Sequence, residues 1–174
     1  MKILEQLAKR ADEHGIKFLV IGGHALNVHG YARQTGDLDL LVSKQNRDFW
    51  INLVKEFRYK PIHQHEVFAR FAPSTLAEWP IDLMFVEDSI FQQILTDSVQ
   101  GDFSTVQVPV PSSRHMIALK LHALKQRQPH REEKDILDVR KLLAISAMSD
   151  SDFRNLCEKY DRMDVFVSLR GNPK

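Results

Sequence analysis

The sequence predicts an α+β fold: a small mixed β-sheet with flanking helices up to about residue 110, followed by a C-terminal helical lobe. Three observations carry this. Short apolar runs bounded by turn residues (KFLVIGG, DLDLLV, PIDLMFV) fall in the first two-thirds of the chain. Segments with apolar residues at helical spacing alternate with them. Beyond Pro109 and Pro111 the strand signals stop and helical periodicity takes over. We therefore divide the chain into residues 1–110 and 111–174. No flexible linker marks the boundary, so one compact unit is expected.

Residues 2–14 place Ile3, Leu4, Leu7, Ala8 and Ala11 on one helical face, and Gly15 ends that helix. Residues 18–21 read as a buried strand that enters a turn at Gly22–Gly23, with a short helix over 24–30. Residues 37–42 alternate acid and apolar side chains, the period of a strand. Ser43 is a candidate cap for a helix over 45–57. Strands are predicted over 65–71 and 81–86, a helix over 88–96, and an edge strand in TVQVPV, where two prolines interrupt the ladder. In the lobe, helices are predicted from Ser112 or Ser113 to about 126, over 132–146, and over 152–160 after a Ser149–Asp150 cap. The segment QPHRE between the first two reads as a loop.

A chain of 174 residues, 43% hydrophobic and 27% charged, holds a core without covalent staples. Its one cysteine, Cys157, excludes an intrachain disulfide. No apolar run approaches the length of a membrane span, and the charged N-terminus does not read as a signal peptide, so a cytoplasmic protein with no membrane partner is expected. The net charge of +1 gives no global sign of nucleic-acid binding. The halves differ, however: 11 basic and 14 acidic residues before position 111, 13 and 9 after it. The eight histidines show no zinc spacing.

The chemistry concentrates between Phe18 and Val42. Asp37 and Asp39, two apart on a strand, share a face, with Leu38 and Leu40 on the other. Two carboxylates with no intervening base repel, and a divalent cation relieves the repulsion. Oxygen-only ligation suits Mg²⁺ or Mn²⁺. A solvated edge strand bearing two acids is the plainer alternative. Gly22–Gly23, between a strand and a helix, admits a close phosphate, or makes only a tight turn. Asp82 lies in an apolar strand, a costly place for a spare charge, and is the candidate third acid, as metal ligand or base. His24 adjoins the glycines. Arg33 is a candidate phosphate contact or a residue that positions the loop, and Thr35 a turn cap ahead of the acidic strand.

The pattern GG-x13-D-L-D with a later strand acid resembles the DNA polymerase β-like nucleotidyltransferase superfamily. The stretches GGHAL (22–26), ARQTGDLDL (32–40), LKLHALKQR (119–127) and REEKDILD (131–138) resemble the AbiEii-type nucleotidyltransferases of toxin–antitoxin systems. The resemblance implies a nucleotidyltransferase fold, a nucleoside triphosphate donor and Mg²⁺. It implies Gly22 and Gly23 at the triphosphate, and Asp37 and Asp39 as metal ligands. Lys120 is then a phosphate-contacting base, and Asp135 belongs to the second helical motif. The acceptor is a tRNA, a protein hydroxyl or a small molecule, and an antitoxin is a candidate partner; the alternatives are a nucleotide- or partner-binding module on the same fold with little catalysis, and a transferase that modifies an antibiotic or a sugar. His24 stands where many polymerase-like members carry serine.

Read without the resemblance, Lys120 is one ammonium among Met116, Ile117, Leu121 and Leu124 on a helical face. It snorkels, pairs with an acid, or reaches a bound anion. Lys125, Arg127 and Arg131 follow as candidate sources of positive field. Asp138 reads as the partner of Lys134 in an ordinary i,i+4 pair, while Asp135, with Val139 and Leu142 on its face, either turns inward toward Lys120 or the site or stays outside.

Overall fold

The computed structural model describes residues 2–75, 77–125 and 129–171. Two compact units form: one runs to Val28 and resumes from Ala32 to Pro111, the other holds His29–Tyr31 and the chain from Ser112 onward.

In the first unit, helix α1 (Lys2–Glu13) buries Leu4, Leu7 and Ala11, the stripe read from the sequence. Strand β1 is only two residues, Leu19–Val20. Helix α2 (Gly22–Val28) begins at the glycine pair itself, two residues before the predicted start. Strand β2 (Leu38–Ser43) ends at Ser43, whose hydroxyl accepts from the Gln45 N–H to open a 3₁₀ turn, Lys44–Asn46, that leads into α3 (Arg47–Glu56). Strands β3 (Lys60–Gln64), β4 (Phe68–Ala72) and β5 (Ile81–Val86) follow, then α4 (Asp88–Thr96), β6 (Val99–Asp102) and β7 (Gln107–Val110). β5 and α4 occupy the predicted residues. The single strand predicted over 65–71 is instead the second arm of a hairpin, and β3 and β6 are additional.

Among the described residues β1 to β5 form one mixed sheet in the order β1-β2-β5-β4-β3, and β6 and β7 pair in a separate two-stranded sheet. Only β2 and β5 run parallel, with Asp39 opposite Asp82. The remaining pairs are antiparallel. The alternation read from the acidic strand is realised across the sheet. Leu38, Leu40 and Val42 of β2, Ile81, Leu83 and Phe85 of β5, and Ala69 and Phe71 of β4 are all buried. They occupy the face opposite the acids, and Trp50 and Val54 of α3 are buried in the same unit.

The second unit contains α5 (Ser113–Lys125), α6 (Pro129–Ile145), α7 (Asp150–Lys159) and α8 (Met163–Arg170). Helix α6 begins at Pro129, within the segment read as a loop. Proline is suited to a first helical position, where its missing N–H costs nothing and its φ is already helical. Gln126–Gln128 lie outside the described residues. Ser149 caps α7 as predicted, its hydroxyl accepting from the Asp152 N–H at 3.1 Å. Helix α8 has no counterpart among the predicted elements. A buried guanidinium, Arg162, ties the loop before it to α5 and α6 by donating to the Leu124 carbonyl (2.6 Å), Glu132 and Asp164. Burial raises the Cys157 thiol to about 12. Among the described residues no helix is long and apolar enough to cross a membrane.

Candidate active site

The site is built where β1 hands over to α2 and β2 begins. The Ile21 N–H donates to the Asp39 carbonyl at 2.9 Å, and the Leu38 N–H to the Pro80 carbonyl at 2.9 Å. These bonds bring the end of β1, the start of β2 and the start of β5 together. Gly22 adopts φ +65°. A Cβ on Gly22 would stand 1.9 Å from Asp39 Oδ2, and one on Gly23 would stand 2.6 Å from Thr35 Cβ. The glycines thus admit the acidic loop's own side chains: the face that a Cβ would occupy is taken by Asp39 at one and by Thr35 at the other. Thr35 in turn donates its hydroxyl to Asp37 Oδ1 at 2.9 Å, fixing that carboxylate. Arg33 is pinned through its backbone, its N–H donating to Asn27 Oδ1 and its carbonyl accepting from Asn27 Nδ2.

Asp37, Asp39 and Asp82 converge. One carboxylate oxygen from each lies within 4.8 Å of the others. Magnesium–oxygen distances of about 2.1 Å put ligands on opposite sides of one ion roughly 4.2 Å apart. Oxygens within 4.8 Å of one another need draw in by only about half an ångström to reach that span, so this hard-oxygen cluster, with a carboxylate as buried as Asp82 (4% exposed), fits a divalent cation. Asp82 is also engaged from the other side. Arg70, opposite it on β4, donates Nη1 to Asp82 Oδ2 at 3.2 Å. His63 of β3 stands opposite Arg70, completing a cross-strand row of Asp39, Asp82, Arg70 and His63. The sequence patterns single out neither Arg70 nor His63. The available signal is a lone arginine between Ala69 and Phe71 in an apolar strand.

His24 is nearly buried. Its ring stacks on Trp79 (centroids 4.9 Å) and meets Phe103 edge-on. Burial draws its pKa down, and the neighbouring Asp37 charge opposes that shift.

In the helical unit, Lys120 Nζ stands 2.6 Å from Asp135 Oδ1 and 2.7 Å from Asp138 Oδ2. The apolar neighbours predicted from helical spacing, Met116, Ile117, Leu121 and Leu124, are all buried. Asp138 is 1% exposed, inside the α5–α6 packing rather than on an outer face with Lys134. Arg127 lies outside the described residues.

No protein-family model matches the chain, and no curated protein matches it significantly. Solved structures do. An antigenic nucleotidyltransferase-like protein from Paracoccidioides brasiliensis aligns over 98% of this chain and 96% of its own, at 17% identity and a TM-score of 0.59. The antibiotic-resistance factor ANT(2'')-Ia covers 96% of this chain and 94% of its own, at 13% identity and a TM-score of 0.71. The lincosamide antibiotic adenylyltransferase LnuA, bound to lincomycin, covers 83% and 97%, at 15% identity and a TM-score of 0.57. The fold is nucleotidyltransferase-like. At such identities the likeness is one of fold.

Proposed function

We propose that this chain is a divalent-metal-dependent nucleotidyltransferase: an acceptor hydroxyl attacks the α-phosphorus of a nucleoside triphosphate, the α–β phosphoanhydride bond breaks, and the nucleoside monophosphate is transferred with release of pyrophosphate. The observation that carries the reading is the convergence of Asp37, Asp39 and Asp82 beside the Gly22–Gly23 turn on this fold. Asp37, oriented by Thr35, and Asp39, seated against Gly22, would hold Mg²⁺ or Mn²⁺ together with Asp82. When bound, such an ion neutralises developing charge on the phosphate oxygens and orients donor against acceptor. Asp82 also stands ready to accept the proton of the attacking hydroxyl. Gly22, Gly23, His24, Arg33 and Thr35 are the donor-side residues of this reading. Within the helical unit Lys120 is held by Asp135 and Asp138, and its assignment as a phosphate-contacting base, like the place of Asp135 in the site, rests on the resemblance alone.

The resemblance to AbiEii-type proteins supports a finer reading, a toxin-like component that modifies a tRNA or a protein and is held by an antitoxin. The fold likeness to ANT(2'')-Ia and LnuA favours a second: transfer to an antibiotic or sugar. Incubation with each of four α-labelled nucleoside triphosphates and Mg²⁺, offering total tRNA, protein, tobramycin or lincomycin as acceptor, separates them. The expected result is Mg²⁺-dependent label on one acceptor class, lost in Asp37→Asn and Asp39→Asn while both variants stay folded. Transfer by those variants at the unsubstituted rate refutes the assignment.

A further inference from the structure

Asp82 is a nearly buried carboxylate that already has a cation beside it. The Arg70 guanidinium meets it from the adjacent strand, Nη1 to Oδ2, at 3.2 Å. Strong arginine–carboxylate pairs are shorter, about 2.7–2.9 Å, and frequently bidentate. The Arg70 side chain is also 38% exposed where that of Asp82 is 5% exposed, so one end of the pair is fixed and the other faces solvent. The row across the sheet sets the direction. Asp39 lies on one side of Asp82 and Arg70 on the other, with His63 beyond. Gly22 abuts Asp39, at the far end of that row from Arg70.

We propose that Arg70 is an exchangeable counter-ion. Without a metal it neutralises Asp82 and lessens the repulsion among three converging carboxylates. When a divalent cation takes over that neutralisation, the guanidinium is released on the same face of the sheet and binds an oxygen of the phosphate that arrives with the ion. Arg70 is thereby a positioning residue for the acids and a binding residue for the donor. The inference rests on the metal-site reading of Asp37, Asp39 and Asp82 given above.

The exchange has a signature that a structural ion pair lacks: loss of the arginine shifts two affinities in opposite directions. Calorimetry on the full chain measures them, first with Mn²⁺ alone, then with the α,β-methylene analogues of the four ribonucleoside triphosphates in saturating Mn²⁺. Arg70→Gln removes the competing cation and should tighten Mn²⁺ by about threefold, the scale of a partly exposed ion pair. It should weaken the bound analogue by about tenfold or more, the scale of one charge-assisted hydrogen bond. Arg70→Lys retains a charge without the planar fork, so it should leave Mn²⁺ affinity near that of the unsubstituted chain and recover part of the analogue affinity. It carries the test alone if Arg70→Gln does not fold. Affinities that both fall, or that both stay unchanged, in a chain that binds Mn²⁺ overturn the exchange and leave the metal site standing. An unsubstituted chain that binds no Mn²⁺ overturns both readings together.

Discussion

Replacing Gly22 with alanine separates the two demands the structure places on that position. The first is conformational. At φ +65° an L-residue is disfavoured by about 1–2 kcal/mol. Gly15 supplies the control, because it has φ +64° and nothing within 4 Å of the place a methyl group would take. Gly15→Ala should therefore show the conformational cost alone, a Tm loss of about 2–8 °C for a chain of this size. The second demand is steric. The new Cβ would lie 1.9 Å from Asp39 Oδ2, whereas real contacts stay above 3.0 Å, so the carboxylate must retreat by more than 1 Å. Metal ligands tolerate about 0.2 Å. Gly22→Ala should then melt below Gly15→Ala and bind Mn²⁺ about 10- to 100-fold more weakly, the range seen when a ligand loses its positioning neighbour. Thermal denaturation and Mn²⁺ calorimetry on both variants decide it. Unchanged Mn²⁺ affinity in Gly22→Ala, or a Tm no lower than that of Gly15→Ala, would refute the claim that this glycine positions Asp39.

Two further outcomes are expected. From the apolar stripe alone, Lys120→Met matches or exceeds the original stability, but the carboxylates of Asp135 and Asp138 reverse the sign. Removing one partner of a buried ionic cluster costs about 3–5 kcal/mol, so urea unfolding should show a clear loss; an unchanged midpoint would mean that the cluster contributes no net stability. His24, whose pKa burial holds below 6.5, contributes stability that is fully present above about pH 6.5 and lost as pH falls through its folded value. His24→Phe, which keeps a ring against Trp79, should flatten the fall of Tm between about pH 7 and 5, and parallel curves for the two proteins would exclude that role.

What is legible in the sequence is what short-range patterns encode. The D-x-D alternation, the glycine pair and the apolar run holding Asp82 each need only a few neighbouring residues to be read, and all three acids meet as expected. β3 escapes because Lys60–Gln64 is exposed throughout and carries no alternation of apolar and polar side chains. Helix α8 escapes because it spans only eight residues, carries two β-branched valines, and has no side-chain cap to mark its start. Arg70 and the second acid of the Lys120 cluster, Asp138, escape for a different reason. Each is defined by a partner on another element, across the β4–β5 ladder or the α5–α6 packing, and strand register and helix rotation are long-range outcomes. The glycine pair shows the same limit: the sequence suggests a close phosphate, and only the fold reveals that Asp39 and Thr35 stand where the Cβ atoms of those two positions would be.

The β2–β5 pairing also makes the hydrophobic core the proofreader of the site. Because side chains alternate with period two, a one-residue slip of β2 would turn Asp39 into the core and Leu38, Leu40 and Val42 onto the acids' face, where the place Asp39 leaves is only half-buried. Each exposed aliphatic side chain would cost about 1.5–3 kcal/mol and the buried charge several more. The acids, which repel one another and gain nothing from convergence by themselves, are thus kept on the right face by residues that never touch a substrate. Substitutions that exchange one core aliphatic for another leave that enforcement intact, whereas polar substitutions at Leu38, Leu40, Ile81 or Leu83 erode it without altering any acid.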